Sequence, residues 1–361
     1  MIPIARPFFG NKEIKEIIKL LKLGRVINGL KVGLFEKNFA EFLNSKYCVA
    51  VINGTAALHT ALLANNIKSG DEVITTPFSF IATSNSILYC NAKPVFVDID
   101  EDTFNINPDL IEEKITNKTK AILPVHLFGH PVNMDKIIRI ARKYKLKVIE
   151  DCSQAHGAEF KGKKVGSLGS AGCFSFYPSK NIASIRGGAV VTNSKEIMKK
   201  CRSIINHGIT KKGFYYLGYN YIMTDIEAVI AIEQLKKLEA NTEKRIKNAN
   251  YLNEGLKYID GIITPNPNKN VKHVFHQYSI RITKRFKFSR DKLVKILIKK
   301  GISARVYYPK PVYKQPLYRK LGYKCSAPIS EKISKQILSL PVYPGLTKRE
   351  LDFIIEAIKN V

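Results

Sequence analysis

Two patterns of hydrophobic and polar positions alternate along roughly the first half of the chain. Some segments repeat apolar side chains every three or four positions, which predicts amphipathic helices. These segments cover residues 11–23, 32–44, 55–65, 80–90, 108–115 and 133–144. Between them lie short apolar runs typical of buried strands, at residues 47–52, 72–76, 94–98, 120–124, 147–151 and 172–176. Because helices and strands alternate, we expect an α/β fold with a mainly parallel central sheet wrapped by helices.

The second half of the chain has a different pattern. A return strand at 188–192 is followed by a long helix that starts near 224 and extends beyond 239. After a polar loop at 264–270, the pattern predicts a strand at 276–282 and helices at 289–300 and 347–359. We therefore predict a large domain over residues 1–245 and a smaller C-terminal α+β domain over 246–361.

Composition adds one unusual feature, a net charge of +29 with a pI near 9.8. Such a basic balance raises the hypothesis of nucleic-acid binding. The basic residues are however spread over amphipathic segments such as 12–22 and 292–300, where they mark solvated helix faces. No helix-turn-helix, zinc-finger or RNA-recognition signature is found. We therefore expect no nucleic-acid partner, and only some attraction for a nucleotide diphosphate.

The cysteines and the apolar runs indicate whether a metal site or a membrane-spanning segment is to be expected. The six cysteines are far apart and form no Cys-x-x-Cys pair, so no metal site is expected. No run reaches the roughly 18 apolar residues that a membrane-spanning helix needs, and the amino terminus has no basic leader before an apolar core. We expect a cytoplasmic protein without a membrane partner.

Residues 174–188 carry the most specific chemistry. Here Lys180 follows an aromatic strand and precedes the glycine pair Gly187 and Gly188. Burial in such a turn lowers the pKa of a lysine, and a neutral amine attacks a carbonyl to form a Schiff base. That is the chemistry of a pyridoxal phosphate (PLP) enzyme. A lysine alone is more often a solvated surface residue, so its neighbours decide the interpretation.

Two further strand ends support this interpretation. Asp151 ends an apolar strand, where ligands collect in open α/β sheets, and an aspartate there can keep a pyridine nitrogen protonated. Gly54 and Thr55 open a helix after another apolar strand, and the free amides of such a helix terminus favour a phosphate. Taken singly, both features also fit an ordinary helix or loop cap.

Together these segments closely resemble the DegT/DnrJ/EryC1/StrS family of sugar aminotransferases, which have the PLP-dependent transferase fold type I. The matching segments are residues 54–55, 71–83, 94–98, 124–131, 150–157, 174–188, 218–221, 307–311 and 338–344. They extend over nearly the whole chain.

The resemblance implies a role for each matching residue. Lys180 would be the Schiff-base lysine, Asp151 the partner of the pyridinium nitrogen, and Gln154 a contact on the 3-hydroxyl side of the ring. The phosphate would be held by Gly54, Thr55, Ala56 and Ser175, and by Asn220 of a neighbouring subunit. Phe80 would stack on the ring face, although periodicity alone favours a core phenylalanine.

The implied partners are an amino-acid donor, with glutamate favoured, and a keto-sugar on a nucleotide diphosphate, within a homodimer of shared active sites. A 3-keto sugar is favoured over a 4-keto-6-deoxy sugar. The product would enter amino-sugar and surface-glycan synthesis.

Two alternatives remain open. One is a PLP-dependent sugar dehydratase, against which the lysine at 180 argues because such relatives carry histidine there. The other is a non-catalytic PLP-binding regulator of the same fold. Two positions also depart from the family pattern: Arg186 replaces an acidic residue or glycine, and Ile222 replaces an arginine that can bind substrate.

Overall fold

A computed structural model describes residues 1–24, 26–27 and 29–361. The α-helices in these residues are α1 (Asn11–Leu23), α2 (Leu30–Phe42), α3 (Gly54–Ala64), α4 (Ala82–Tyr89), α5 (Met134–Lys143), α6 (Lys195–Ile204), α7 (Asp225–Leu256), α8 (Arg290–Lys299), α9 (Pro316–Lys320), α10 (Pro328–Gln336) and α11 (Lys348–Lys359).

The strands are β1 (Tyr47–Val51), β2 (Glu72–Thr75), β3 (Lys93–Phe96), β4 (Thr119–Leu123), β5 (Lys147–Asp151), β6 (Glu159–Phe160), β7 (Lys163–Lys164), β8 (Ala171–Ser175), β9 (Gly188–Thr192), β10 (Ile209–Thr210), β11 (Gly213–Phe214), β12 (Ile262–Ile263), β13 (Val271–Lys272), β14 (Tyr278–Ile282) and β15 (Ile337–Leu340).

A seven-stranded sheet with the order β1-β9-β8-β5-β4-β2-β3 forms the centre of the fold. Neighbouring strands pair in parallel from β8 to β3, whereas β9 runs antiparallel to both β1 and β8. The prediction of a mainly parallel sheet is therefore confirmed, and the return strand at 188–192 is the one that reverses direction.

Helices cover both faces of this sheet, which explains why its strands are apolar on both sides. On one face, Phe35 and Phe39 of α2 pack with Ile137 of α5. On the other face, Leu62 of α3 packs with Ile204 of α6. All of these side chains are buried, so the sheet is a rigid layer whose strand ends can position polar groups.

One predicted helix is wrong. Residues 108–115 form two short 3₁₀ turns, Pro108–Leu110 and Glu112–Lys114, instead of an α-helix. The amides here bond to carbonyls three residues back, as in the bond from Ile111 N to Pro108 O at 3.2 Å. The Asn107 side chain caps the first turn by accepting a hydrogen bond from the Asp109 amide, and Ile115 returns to extended backbone, so the turns do not continue as an α-helix.

The C-terminal region packs around the antiparallel sheet β12-β14-β15. Its core contains Leu293 of α8, Ile354 of α11 and Leu252 from the last turns of α7. The first half of α7 belongs to the core of the large sheet, through Ala228 and Leu238. The boundary proposed at residue 245 thus falls within a continuous 32-residue helix, and the division into two domains stays a prediction.

Within the described residues, every helix is too short or too polar to serve as a membrane span.

Candidate active site

A cavity of about 600 Å³ opens beside the carboxyl ends of β5 and β8. Seven residues that the sequence predicted for one site line this cavity: Gly54, Thr55, Phe80, Asp151, Gln154, Ser175 and Lys180. They come from four separate parts of the chain, and the parallel strands bring them together because strand ends of the same direction meet at one edge of the sheet.

The first turn of α3 forms one end of the cavity. Asn53 precedes the helix, and its side-chain oxygen accepts a hydrogen bond from the amide of Ala56 at 2.8 Å. The amide of Ala57 bonds to the Asn53 carbonyl. The amides of Gly54 and Thr55 have no partner within the helix, so this terminus offers two donors to an anion.

Gly54 is required by a close approach of two backbones. A Cβ atom built on Gly54 would lie 2.6 Å from the Cβ of Ser175 at the end of β8. That distance is far below van der Waals contact, so any larger residue would push the helix away from the strand. The approach places the Ser175 hydroxyl beside the free amides of α3, which together suit the oxygens of a phosphate.

Asp151 lies at the floor of the cavity and is 4 % exposed. Its Oδ2 accepts a hydrogen bond from the Thr83 hydroxyl at 2.8 Å, and its Oδ1 accepts one from the Ser153 amide at 3.1 Å. These bonds fix the carboxylate in one orientation. A buried, oriented carboxylate is suited to holding the proton of a pyridinium nitrogen.

Lys180 follows β8 in a turn closed by a bond from its amide to the Tyr177 carbonyl at 2.8 Å. Within the described residues, no carboxylate lies within the 4.0 Å of an ion pair from its amine. Burial lowers the pKa of Lys180 to about 8, against the opposing attraction of Asp151. An amine with this pKa is partly neutral near physiological pH, which a nucleophile or a base requires.

Gln154 is held at both ends of its side-chain amide. Its Oε1 accepts a hydrogen bond from the Phe128 amide at 2.8 Å, and its Nε2 donates to the Tyr308 hydroxyl at 3.0 Å. Burial raises the pKa of Tyr308 well above its usual range, so this hydroxyl stays protonated.

Phe80 is not a core side chain, in contrast to what periodicity alone favoured. It precedes α4 and remains 59 % exposed at the cavity wall. The periodicity failed because residues 77–81 form a bend over the cavity rather than part of a strand or helix. An exposed ring in a cavity offers a flat apolar face to a ligand.

Two predicted residues lie outside this cavity. Ala56 is buried, and its amide is occupied by Asn53. Asn220 is exposed and pairs with Asn206 through an isolated β-bridge. Their predicted contacts with the phosphate stay predictions.

The structure also adds residues that the sequence did not single out. Thr83 orients Asp151, Tyr308 orients Gln154, and His276 lines the cavity. Arg186, which the sequence marked as a departure from the family pattern, also lines the cavity. Burial and the nearby Lys180 lower the pKa of His276 well below its usual range, so the imidazole is neutral. Thr83 and Tyr308 stand in segments already quoted, but nothing in the local pattern marks them as functional.

A second polar network lies directly behind Asp151. Both oxygens of the buried Glu150 accept hydrogen bonds from backbone amides, those of Gly166, Leu168 and Gly169 at 2.7–2.9 Å. The Nδ1 of His126 accepts a bond from the Val132 amide at 3.0 Å, so the ring proton is on Nε2, which donates to Glu150 at 3.0 Å. This network ties the loop before β8 to β5 and so supports the position of Asp151.

Comparison with known proteins agrees with this geometry. Residues 7–359 match the profile of the DegT/DnrJ/EryC1/StrS aminotransferase family. The chain is 42% identical to the "Pleiotropic regulatory protein" of Geobacillus stearothermophilus, over 96% of this chain and 93% of the relative. It is 38% identical to the GDP-perosamine synthase of Caulobacter vibrioides, over 100% and 98%. It is also 38% identical to a UDP-N-acetyl-3-dehydro-α-D-glucosamine 3-aminotransferase of Acidithiobacillus ferrooxidans, over 95% and 91%.

Among solved structures, the chain superimposes with a TM-score of 0.93 on the PLP form of the putative sugar aminotransferase Spr1654 from Streptococcus pneumoniae. The two chains are 27% identical, and the match covers 99% of this chain and 98% of the other. The expected fold, the aminotransferase activity and the PLP cofactor are confirmed by these similarities. The chain therefore belongs to the DegT/DnrJ/EryC1/StrS aminotransferase family.

Proposed function

We propose that this enzyme transfers an amino group from glutamate to the keto group of a sugar carried on a nucleotide diphosphate, with a 3-keto sugar favoured over a 4-keto-6-deoxy sugar. Amino transfer to nucleotide sugars is supported by relatives named as a dTDP-3-amino-3,6-dideoxy-α-D-galactopyranose transaminase and a UDP-N-acetyl-3-dehydro-α-D-glucosamine 3-aminotransferase. The observation that carries the proposal is the cavity that joins Lys180, Asp151 and the open helix terminus of α3.

The cavity's own residues fit the cofactor. The amides of Gly54 and Thr55 and the hydroxyl of Ser175 would hold its phosphate, since they converge where a Cβ on Gly54 would leave no room. Phe80 would cover one face of the ring and Asp151 would face its nitrogen. When bound, pyridoxal phosphate supplies a carbonyl that accepts the amino group and a ring that withdraws electrons from the carbon losing its proton.

Each side chain then has a distinct task. Lys180, with its lowered pKa, would bind the cofactor's carbonyl carbon as a free amine. Once the amino donor has displaced it, Lys180 would move a proton between the donor's α-carbon and that same cofactor carbon. Asp151, fixed by Thr83 and Ser153, would keep the ring nitrogen protonated throughout. Gln154, fixed by Tyr308, would set the tilt of the ring.

We also propose a homodimer in which Asn220 completes the partner's site. Asn220 is exposed and lies outside the cavity of its own chain. Phe214 of the hairpin β10–β11 and Leu217, which lies between this hairpin and Asn220, are 78 % and 82 % exposed. Large exposed apolar side chains that lie this close together are typical of an interface.

The dimer proposal is tested by mixing two inactive variants, K180A and N220A. In a mixed dimer, one site combines the intact Lys180 with the intact Asn220. Random pairing makes half of the dimers mixed. Each mixed dimer has one working site out of two, so about a quarter of the wild-type activity should return. If no activity returns after co-expression of the two chains, Asn220 serves the site of its own chain. Activity of N220A on its own would show that Asn220 serves neither site.

The transfer itself is tested with purified enzyme, PLP, glutamate and a panel of 3-keto and 4-keto nucleotide sugars. Mass spectrometry should show replacement of oxygen by nitrogen in one sugar, with K180A as the inactive control. Relatives of equal identity carry GDP and UDP in their names, so the panel must contain both nucleotides. Ammonia release without an amino-sugar product would instead indicate a dehydratase.

A regulatory role is the second candidate function, because one relative is named a pleiotropic regulatory protein. The two functions differ in one simple observation. An aminotransferase loses its yellow absorbance when glutamate is added, because the cofactor takes the amino group. A regulator that only binds the cofactor keeps its colour.

A further inference from the structure

Arg186 is a cation of the cavity for which the proposed reaction has no assigned use. It lines the cavity together with Lys180, and its side chain is exposed to the cavity and solvent. Within the described residues, no carboxylate lies within ion-pair distance of its guanidinium. By contrast, Arg202 pairs with Glu36, and Arg281 pairs with Glu101.

The loop that carries Arg186 is held firmly at several points. The Ser184 amide donates to the Phe176 carbonyl at 2.8 Å, and the Ser184 hydroxyl donates to the Glu227 carbonyl at 2.9 Å. The Gly187 amide donates to the Ile52 carbonyl at 3.0 Å. The fixed backbone holds Arg186 at the cavity, so that only its side chain has to be ordered when an anion binds.

The surroundings indicate which anion fits. Gly187, the next residue, forms a β-bridge with Asn53, which caps the open terminus of α3. Ser175 and Ser179 add hydroxyl groups to the same wall. Among the described residues lining the cavity, Asp151 is the only acid, and its two oxygens already accept hydrogen bonds.

The cavity lining combines backbone amides, hydroxyls and a guanidinium. This number of donors matches the three or more oxygens of a phosphate better than the two of a carboxylate. We propose that Arg186 binds a phosphate group in this cavity, supplied either by the cofactor's phosphate monoester or by the diphosphate of the nucleotide sugar. The second source rests on the proposed function, whereas the first does not.

The first arm of the test measures cofactor affinity on the full-length holoenzyme. Wild type, R186Q and R186K are dialysed against graded concentrations of PLP, and bound cofactor is read from its absorbance. The measurement is repeated with pyridoxal, which has the same ring and aldehyde but no phosphate. Loss of a charge-assisted bond to phosphate should weaken PLP binding about tenfold or more in R186Q, leave pyridoxal binding unchanged, and weaken PLP less in R186K.

The second arm uses titration calorimetry of the PLP-loaded proteins with UDP, GDP and dTDP. If the diphosphate is the ligand, R186Q should lose about tenfold in affinity for the nucleotide that binds wild type, while its PLP affinity stays unchanged. The matched control is R349Q, which removes an exposed arginine of α11 that does not line the cavity and changes the net charge equally. It should behave as wild type in both arms.

Three results would overturn the proposal. They are unchanged binding of PLP and of all three nucleotides in R186Q, an equal loss of PLP and pyridoxal binding, or an effect confined to the KM for glutamate. Melting temperatures of all variants show whether a loss reflects misfolding, and R186K keeps the result interpretable if R186Q is unstable. Absence of amino-sugar formation by wild type would contradict the proposed function without affecting the PLP arm.

Discussion

The lowered pKa of Lys180 makes a quantitative prediction about its reactivity. With a pKa of about 8, roughly a quarter of the Lys180 side chains are neutral at pH 7.5, against roughly one in a thousand for a lysine with the ordinary pKa of 10.5. A less basic amine attacks more slowly, which offsets part of this ratio. We still expect cofactor-free Lys180 to react on the order of ten times faster than exposed lysines such as Lys212.

The assay is competitive acylation of the full-length protein, stripped of cofactor, across pH 6 to 11, with peptide mass spectrometry. Labelling of Lys180 should rise with a midpoint near pH 8. The Asp151 carboxylate raises the pKa of Lys180, so D151N should shift the midpoint to lower pH. A midpoint near 10 in the wild type, or an upward shift in D151N, would refute the electrostatic reasoning.

The remaining predictions concern single contacts around the site. G54A should bind PLP at least about tenfold more weakly, since the added Cβ has no room against β8; equilibrium dialysis measures this, and wild-type affinity would contradict it. T83V should lower kcat by about tenfold while PLP remains bound, because Asp151 loses one of its two orienting bonds; unchanged kcat would show that this bond is dispensable. E150Q should lower the free energy of unfolding by about 3 kcal/mol, since an amide cannot accept all four bonds that Glu150 accepts. E159Q, which breaks only the partly exposed ion pair of Glu159 with Lys272, should lower the free energy of unfolding by less than about 1 kcal/mol. Denaturant titration measures both variants, and equal losses in E150Q and E159Q would contradict the greater importance of Glu150.

The apolar pattern predicted most of the fold, and strand ends and turns pointed to Lys180, Asp151, Gly54 and Thr55. The family resemblance supplied the other three lining residues, Phe80, Gln154 and Ser175. Parallel strands place their carboxyl ends at one edge, so Asp151 and Ser175, which end two strands, must lie together. Lys180 follows the second of these strands, and its short turn leaves it little freedom to be elsewhere. The order of elements, which the apolar pattern shows, is enough to place Asp151 near Lys180, but it does not identify Phe80 or Gln154.

Other features depend on contacts that no local pattern encodes. Thr83 reaches Asp151 across 68 positions, and Tyr308 reaches Gln154 across 154. The helical pattern at 108–115 did not show that this segment forms two 3₁₀ turns. Phe80 departs from its periodicity because a bend over the cavity, rather than burial, determines its position.

The continuity of α7 has a mechanical consequence. Its first half packs in the core of the large sheet and its last turns pack in the C-terminal core, so one continuous helix joins the two cores. A movement of the C-terminal core relative to the large sheet would therefore have to bend α7 or pull its side chains out of a packed core. The part of the fold that positions Lys180 is therefore stabilised by residues of the last turns of α7, more than sixty positions further along the chain.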